Sequence, residues 1–537
     1  MPVNQRNVKG PSMAQHRFSN LIATAALLTC GWMAASPAWA EDALKVARLS
    51  QVARVDPLFQ SYNVEMAEVV GGRFWAPFPE AGELAAPANT QVSGGLALDA
   101  GLFRQRPPAD LSNRRLRVMA KALGPAYVRV SGSWANTTYF QDDDRPPMVK
   151  PPAGFQNVLT RRQWKGVIDF AKAVDGRITT SFAVSAGTRD AVGQWTPDEA
   201  RKLLRYTRSV GGRIHSAELM NEPNLGFVSG LPTNYQAMDF ARDVAAFAAF
   251  VRTEAPGLKM VGPGSTGETG VALFANRGIP TEALLATEPR AKFDIFSYHF
   301  YGARSERCTK LAPASAIRPQ DALSEAWLSR TDAALAYYKA VREKHMPGAP
   351  IWLNETAQAS CGGDRWASTF LDSFRYIDQL GRLAKQDVDV VFHNTLAASD
   401  YGLIDEATLT PRPSFWAAVL WRRLMGPIVL DAGVKRDGLH VYAHCLAKRK
   451  GGVALAVLNL NSEHLDKLSI PLGGLRYTLT APDIQSRTLE LNGRGLSLQR
   501  KDKMPVMQGS PTTGSLLLPP ASITFVAFPQ ARNPACR

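Results

Sequence analysis

Two carboxylates stand out because each closes an apolar run that reads as a strand. Glu222 lies in "AELMNEPNLG" (residues 217–226), and Glu355 lies in "WLNETA" (352–357). An isolated Asn-Glu-Pro is an ordinary turn sequence; two strand-end glutamates are a different signal. If both runs belong to one barrel, their C-terminal ends share a mouth, where barrel enzymes keep their chemistry. Two carboxyl groups there can flank one glycosidic bond, the first protonating the leaving oxygen while the second attacks the anomeric carbon. That retaining arrangement needs the two groups about 5–5.5 Å apart. Asn221, directly before Glu222, would stand beside the reacting carbon and hydrogen-bond a sugar hydroxyl.

The elements that must position these groups are legible as alternating β and α patterns, the signature of a parallel sheet. Candidate strands are 59–66, 126–132, 179–187, 216–221, 259–265, 293–301, 350–356 and 388–396. Eight such strands predict a closed (β/α)8 TIM barrel, with Glu222 ending the fourth and Glu355 the seventh. Between them, "TPDEARKLLRYTRSVGG" predicts a helix with Thr196 as N-cap, Pro197 at the first position, Glu199 completing a capping box and Gly211 at the stop. A second helix is expected over 321–345, its Trp and Tyr residues at core spacing. After Trp421 short strands separated by Gly, Asn and Asp predict a β-sandwich. The domain reading is therefore a signal segment over 1–40, a strand region over 41–56 joining the sandwich, a catalytic barrel over 57–420 and a β-sandwich over 421–537. The stretch 84–110 reads as a long surface loop.

The first forty residues hold Arg6, Lys9 and Arg17, no acid, an apolar run and small residues at Ala38 and Ala40, the order of a secretory signal peptide. The apolar run is too short to span a membrane comfortably, so a secreted or periplasmic protein without stable membrane insertion is expected; lipid attachment at Cys30 is the alternative. The whole chain carries a net charge of +15, and removal of 1–40 leaves about +12. That excess favours acidic partners, and no nucleic-acid-binding signature accompanies it. Cys308, Cys361, Cys445 and Cys536 remain, an even number that suits disulfides in an exported protein. No Cys pair has C-x-x-C spacing and the histidines are scattered, so neither a metal site nor another cofactor is expected.

Several segments in order, "ELMNEPN", "SYHFYG", "WLNETAQASCGGD", "SDYGLIDEATLTPRPSFWAAVLWRRLMG" and "LHVYAHC", resemble glycoside hydrolase family 79, and within it the heparanases. The resemblance runs from about residue 45 to the C-terminus. It implies that Glu222 is the proton donor and Glu355 the nucleophile. It implies further that His299 and Tyr301 form a His-x-Tyr pair whose tyrosine hydrogen-bonds the nucleophile, with Tyr298 beside them. Tyr401 and the backbone N–H groups of Gly362 and Gly363 match positions that hold a uronic acid carboxylate, although one extra residue precedes the glycine pair here. Glu65 matches an acid that binds a substrate hydroxyl, Ser133 lies at a polar loop position, and Arg304 could meet a sulfate or carboxylate. The resemblance pairs Cys445 with Cys536; Cys308 and Cys361 then fall in the loops after strands six and seven, which a barrel makes adjacent, and could bridge. Only about thirty residues separate Trp134 from Trp164, where vertebrate members carry a longer excised segment, so activation by excision is not expected.

The function implied is a monomeric retaining β-glucuronidase of heparanase type acting on acidic polysaccharide such as heparan sulfate. An exo-acting β-glucuronidase is the alternative, and a non-catalytic carbohydrate-binding protein a remote one. Loops such as 84–110 and 303–320 would decide between endo and exo action.

Overall fold

The computed structural model describes residues 43–79, 100–227, 229–269, 278–311 and 315–537. The signal segment and most of the 84–110 stretch therefore lie outside the described residues.

Eight parallel strands close into a barrel: β1 (Gln60–Glu65), β2 (Ala126–Ser131), β3 (Gly176–Ser181), β4 (Ile214–Glu218), β5 (Lys259–Ser265), β6 (Ile295–Tyr301), β7 (Ile351–Ala357) and β8 (Val390–His393), with β8 returning to pair with β1. Each is adjacent to its sequence neighbour, as right-handed β-α-β connections dictate. Alternation along the strands sorts the side chains. Tyr62, Val64, Val128, Val130 and Leu353 face the surrounding helices. Leu58, Tyr127, Val261, Ile295, Trp352, Val390 and Phe392 fill the barrel's lower interior as one apolar plug. Above that plug the inward positions turn polar: Ser131, Ser181, Glu218, Ser297 and His299 are all buried.

Four sequence expectations are corrected. β4 stops at Glu218, so Glu222 stands four residues beyond the strand, at the start of a short 3-10 turn over Pro223–Leu225. The helix after β3 spans Asp198–Ser209 with Pro197 as an N-cap that has no side-chain cap bond. Thr196 Oγ1 instead donates to the Thr188 carbonyl (3.2 Å), and Glu199 accepts from the Phe140 N–H (3.1 Å), so the capping box does not form. Within the predicted surface loop, Phe103–Arg106 pairs antiparallel with Gly72–Trp75. The helix expected over 321–345 divides at Ser329 into Glu325–Leu328 and Arg330–His345, and its Trp327 and Tyr338 are core residues.

Beyond the barrel, β9 (Met425–Leu430), β10 (Leu439–Leu446), β11 (Val453–Asn459), β12 (Asp466–Thr480), β13 (Ser510–Leu518) and β14 (Ser522–Phe528) form a largely antiparallel sheet, which the strand Gln51–Arg54 joins at β9. One face, with Tyr442, Ala454, Ala456, Leu458, Ile523 and Phe525, merges with the barrel's outer core. The other carries Val441, Leu455, Val457 and Val526, and β12 and β13 fold over it with Leu468, Ile470, Leu516 and Leu518.

The helix Phe370–Lys385, which follows β7, is buried along nearly its whole length because it lies between the barrel and this sheet. Its Asp378 accepts hydrogen bonds from Tyr442 Oη (2.5 Å), His440 Nδ1 (2.5 Å) and Arg382 Nε (2.6 Å). Burial opposes ionisation of Asp378, but His440 and Arg382 outweigh it and hold the carboxyl below its usual range. A carboxylate whose folded pKa is depressed contributes stability above its unfolded pKa and loses it as pH falls through the folded one. Asp378→Ala is therefore expected to cost about 3–5 kcal/mol at neutral pH in urea denaturation, with the gap to wild type narrowing in acid. A cost below 1 kcal/mol at neutral pH would show that the cluster does not hold the sheet to the barrel.

Candidate active site

The polar layer is organised around Arg129, which β2 projects inward between Tyr127 and Ser131. Its Nη1 donates to Glu355 Oε2 (2.9 Å), and its Nη2 to Glu218 Oε2 (2.9 Å) and Asn221 Oδ1 (2.8 Å). Its Nε also donates to Glu218 Oε2 (3.2 Å), which fixes the plane of the guanidinium. Ser131 Oγ (3.2 Å) and Asn354 Nδ2 complete the donors around Glu218. Arg129 is fully buried; burial disfavours its charge, but Glu218, Glu355 and Glu65 more than restore it, and its pKa is raised.

Glu355 is aimed by an irregularity in β7. Tyr298 of β6 pairs with Leu353 while the next residue, His299, pairs with Glu355, so Asn354 is an extra residue in the ladder. Such a bulge re-aims side chains, and here consecutive residues both serve the interior, Asn354 toward Glu218 and Glu355 toward the mouth. Glu355 Oε1 accepts from the Tyr301 hydroxyl (2.7 Å), while Oε2 takes the Arg129 bond. Burial pushes the Glu355 carboxyl up, but His299, Arg129 and the Tyr301 hydroxyl outweigh it and hold the group below its usual range.

Glu222 reaches the same point from the loop after β4. It adopts a left-handed backbone (φ 48°, ψ 59°), a strained choice for a residue with a side chain. Reciprocal bonds anchor the residue before it: Asn221 N–H donates to Asn136 Oδ1 and Asn136 Nδ2 donates to the Asn221 carbonyl, each at 2.9 Å. His299 Nδ1 lies 3.1 Å from Glu222 Oε1 and 3.7 Å from Glu355 Oε2. Because His299 Nε2 lies 3.3 Å from Arg129 Nη2, which can only donate, the ring hydrogen at Nδ1 is directed to Glu222. One oxygen of Glu222 and one of Glu355 lie within 4.8 Å of each other and of a His299 nitrogen. Those three groups could in principle ligate a cation, but both Glu355 oxygens already accept protein hydrogen bonds. The spacing instead suits double displacement at a sugar carbon.

Other candidates gather around this pair. Asn221 Nδ2 donates to Ser133 Oγ (3.4 Å). Asn394, just past β8, donates to the hydroxyls of Tyr301 (3.0 Å) and Tyr401 (3.4 Å). Glu65 ends β1 and packs against Gly132, where a Cβ would fall 1.7 Å from its Oε2, so only glycine leaves it room. Burial first, then the nearby Glu355 charge, raise the Glu65 pKa well above the carboxylate range. Gly362 and Gly363 (φ 86° and 80°) form a left-handed turn beside Tyr401. Among the described residues neither of their N–H groups has a protein acceptor. The turn is held through its carbonyls: Ser399 Oγ (3.0 Å) and the Asp400 N–H (3.2 Å) donate to Gly362, and Ser305 Oγ (2.8 Å) and Arg307 to Gly363. Arg307 also pairs with Asp400 and stacks on Phe78. Two disulfides form, Cys308–Cys361 beside this turn and Cys445–Cys536 in the β-region.

Two sequence candidates lie elsewhere. Tyr298 falls on the opposite face of β6 from His299 and Tyr301, by the period of two, and stacks on Tyr338 in the outer core with ring centroids 4.5 Å apart. Arg304 is 1% exposed, with Nε and Nη1 unpartnered, and among the described residues its side chain makes no hydrogen bond to Glu222, Glu355 or Tyr401. Sequence reasoning missed Arg129, Glu218, Asn394 and Arg307; the signal for the first was an arginine at an inward position inside an otherwise apolar strand.

Comparison with known proteins agrees with this geometry. Residues 108–381, half of the chain, match the family described as glycosyl hydrolase family 79, N-terminal domain. Heparanase of Mus musculus is 28% identical over 492 residues, covering 79% of this chain and 88% of that protein. Baicalin-beta-D-glucuronidase of Scutellaria baicalensis is 33% identical over 370 residues, 64% of each chain. Among solved structures, a 4-O-alpha-L-rhamnosyl-beta-D-glucuronidase from Fusarium oxysporum 12S superposes with a TM-score of 0.60 at 14% identity, covering 90% of this chain and 99% of that one, which is a likeness of fold. The chain is a glycoside hydrolase with a (β/α)8 barrel and a separate antiparallel β-region, and it belongs to glycosyl hydrolase family 79.

Proposed function

We propose that this enzyme is a retaining β-glucuronidase of the heparanase type, cleaving β-glucuronidic bonds in an acidic polysaccharide such as heparan sulfate. The observation that carries the reading is the close approach of the Glu222 and Glu355 carboxylates, one oxygen of each within 4.8 Å. Glu355 attacks the anomeric carbon as its carboxylate, a form favoured by Arg129, His299 and Tyr301, while Glu222 gives its proton to the departing oxygen. Glu222 then takes a proton from the water that releases the sugar. Asn221 faces the hydroxyl next to the reacting carbon, and Glu65 meets the sugar as a neutral acid. The substrate carboxylate is received by Tyr401 and the free N–H groups of Gly362 and Gly363, neutral donors that need little reordering. Burial holds the Tyr401 phenol well above its usual pKa, so it remains a donor.

The mouse heparanase relative supports polymer cleavage, and the baicalin glucuronidase relative supports an exo reading, in which one terminal uronic acid is removed. The two disulfides support maturation in an oxidising compartment, and among the described residues no helix is long and apolar enough to cross a membrane. Secretion through the 1–40 segment and action as a monomer remain part of the proposal. Product sizing distinguishes the modes: heparan sulfate should yield oligosaccharides from the outset, whereas release of monosaccharide alone would establish exo action.

Glu355→Gln and Glu222→Gln should each lower turnover about 10²–10⁴-fold or more with unfolding temperature unchanged. Only Glu222→Gln should recover on glucuronides with good leaving groups, and near-wild-type turnover of both on an unactivated substrate would refute the roles. Tyr301→Phe removes a bond that lowers the Glu355 pKa. Because the nucleophile must be ionised, activity is lost as pH falls through that pKa, and the acid limb of the kcat/KM profile should move to higher pH. An unmoved limb would detach Tyr301 from Glu355. A small aryl glucuronide should be hydrolysed far faster than the matching glucoside, and Tyr401→Phe should impair the former; equal rates would exclude selection of uronic acids at this site.

A further inference from the structure

Several cations in the loops of the barrel domain are matched by acids, so the chain's surplus positive charge lies elsewhere. Arg104 and Arg106 pair with Glu406, Arg145 with Asp143, Arg161 with Asp142 and Asp144, Arg307 with Asp400, and Arg412 with Asp405. Those cations are already neutralised. The opposite situation holds in the β-region, where three chain segments meet beside the Cys445–Cys536 disulfide. The Gly451 N–H donates to the Cys536 carbonyl (2.7 Å), and the Asn533 N–H to the Gly451 carbonyl (2.9 Å). Asn533 Nδ2 donates to the carbonyls of Val46 (3.0 Å) and Leu49 (2.9 Å). The turn 446–452, the segment 529–537 and the segment 43–49 are thereby fixed as one piece.

As described, from residue 43 on, these three stretches contain no acidic side chain; Glu41 and Asp42, which precede the first, lie outside the described residues. They carry Lys45, Arg48, Lys448, Arg449, Lys450 and Arg532, all exposed and, among the described residues, none in an ion pair, besides Arg537, whose own α-carboxylate offsets its charge. Unpaired like charges held together raise the folding free energy unless something offsets them. A rigid face with several unpaired cations gains most from a linear polyanion, which brings several negative charges at once and releases its condensed counterions on binding. A membrane surface is disfavoured, because interfacial binders also present apolar side chains to the lipid. None of the exposed large hydrophobic residues, such as Val52, Val192, Leu465 or Leu517, falls within these stretches.

We propose that this face is a second binding site for acidic polysaccharide, built apart from the catalytic residues. It rests on the proposed reading of the substrate as a polyanionic chain. The face captures a sulfated or carboxylated segment by charge, whereas the cleft reads one uronic acid through neutral donors.

The test uses the full chain with Lys448→Ser, Arg449→Ser and Lys450→Ser combined, and separately Arg532→Ser, both with and without Glu355→Gln to prevent cleavage. Binding to a heparin oligosaccharide is measured against salt, alongside binding to vesicles of phosphatidylserine and phosphatidylcholine. The triple variant should lose at least tenfold in heparin affinity at low salt and flatten the salt dependence. It should hydrolyse a small aryl glucuronide within twofold of wild type. Arg532→Ser should show a smaller loss in the same direction, which preserves the test if the triple variant folds poorly. Unchanged heparin affinity in both variants overturns the proposal, as does wild-type binding to vesicles but not to heparin. If heparin binding drops as expected while no glucuronide is hydrolysed, the catalytic reading fails and the basic face stands.

Discussion

A single buried guanidinium has to satisfy more carboxylates than it can neutralise, and the arrangement of the site follows from that shortage. Arg129 faces Glu218 and Glu355 directly, with Glu65 close enough to feel its charge. Coulomb interactions are strong where water is excluded, so the carboxyl groups cannot all ionise equally. Glu218 and Glu355 have the direct bonds to Arg129. Glu65 has none and is driven toward its neutral form. The division of one charge thus separates chemically identical side chains: Glu355 is held below the usual carboxylate range while Glu65 is raised well above it. That sorting is the usual route by which one pocket holds both acid and base at one pH.

Geometry enforces the division. The apolar plug beneath Arg129 keeps water out from below, and Glu218 grips two of its nitrogens, so the Nη1 bond to Glu355 has little freedom. The extra residue in β7 is what allows Asn354 and Glu355 to address the interior together. On the far side of the mouth, the Gly362–Gly363 turn has its carbonyls tied back by Ser305, Ser399, Asp400 and Arg307, which leaves its N–H groups for a ligand. The proposed substrate contacts are in this way held in place by the scaffold itself.

How much of this was legible in the sequence differs by the kind of signal. Glu222 and Glu355 could be read because each follows an apolar run and together they match a known chemistry. The eight strands could be read from their hydrophobic runs, although β4 ended earlier than its pattern implied, since Leu219 and Met220 are buried outside any ladder. Arg129 was missed because a strand rich in Val and Tyr reads as core, and nothing local reveals that its one arginine has partners on β4 and β7. Tyr298 was placed beside His299 by adjacency, where the two-residue period sends it to the opposite face. The capping box around Thr196 failed for a related reason: tertiary partners, Thr188 and Phe140, won the groups that a local motif would have used.

The strand Gln51–Arg54 precedes the whole barrel yet pairs with β9, which follows it, so Gln51 lies opposite Leu430. β1 likewise waits for β8 before the barrel can close. A ribosome delivers the first partner of each pair long before the second, and contacts so distant along the chain form slowly. The early strands must therefore remain unpaired through most of synthesis: the barrel can close only once β8 has emerged, and Gln51–Arg54 waits longer still, for β9. Folding is in this sense a terminal event, triggered by arrival of the last third of the chain. A truncation from the N-terminal side through Gln51–Arg54 would remove a strand that the β-region needs.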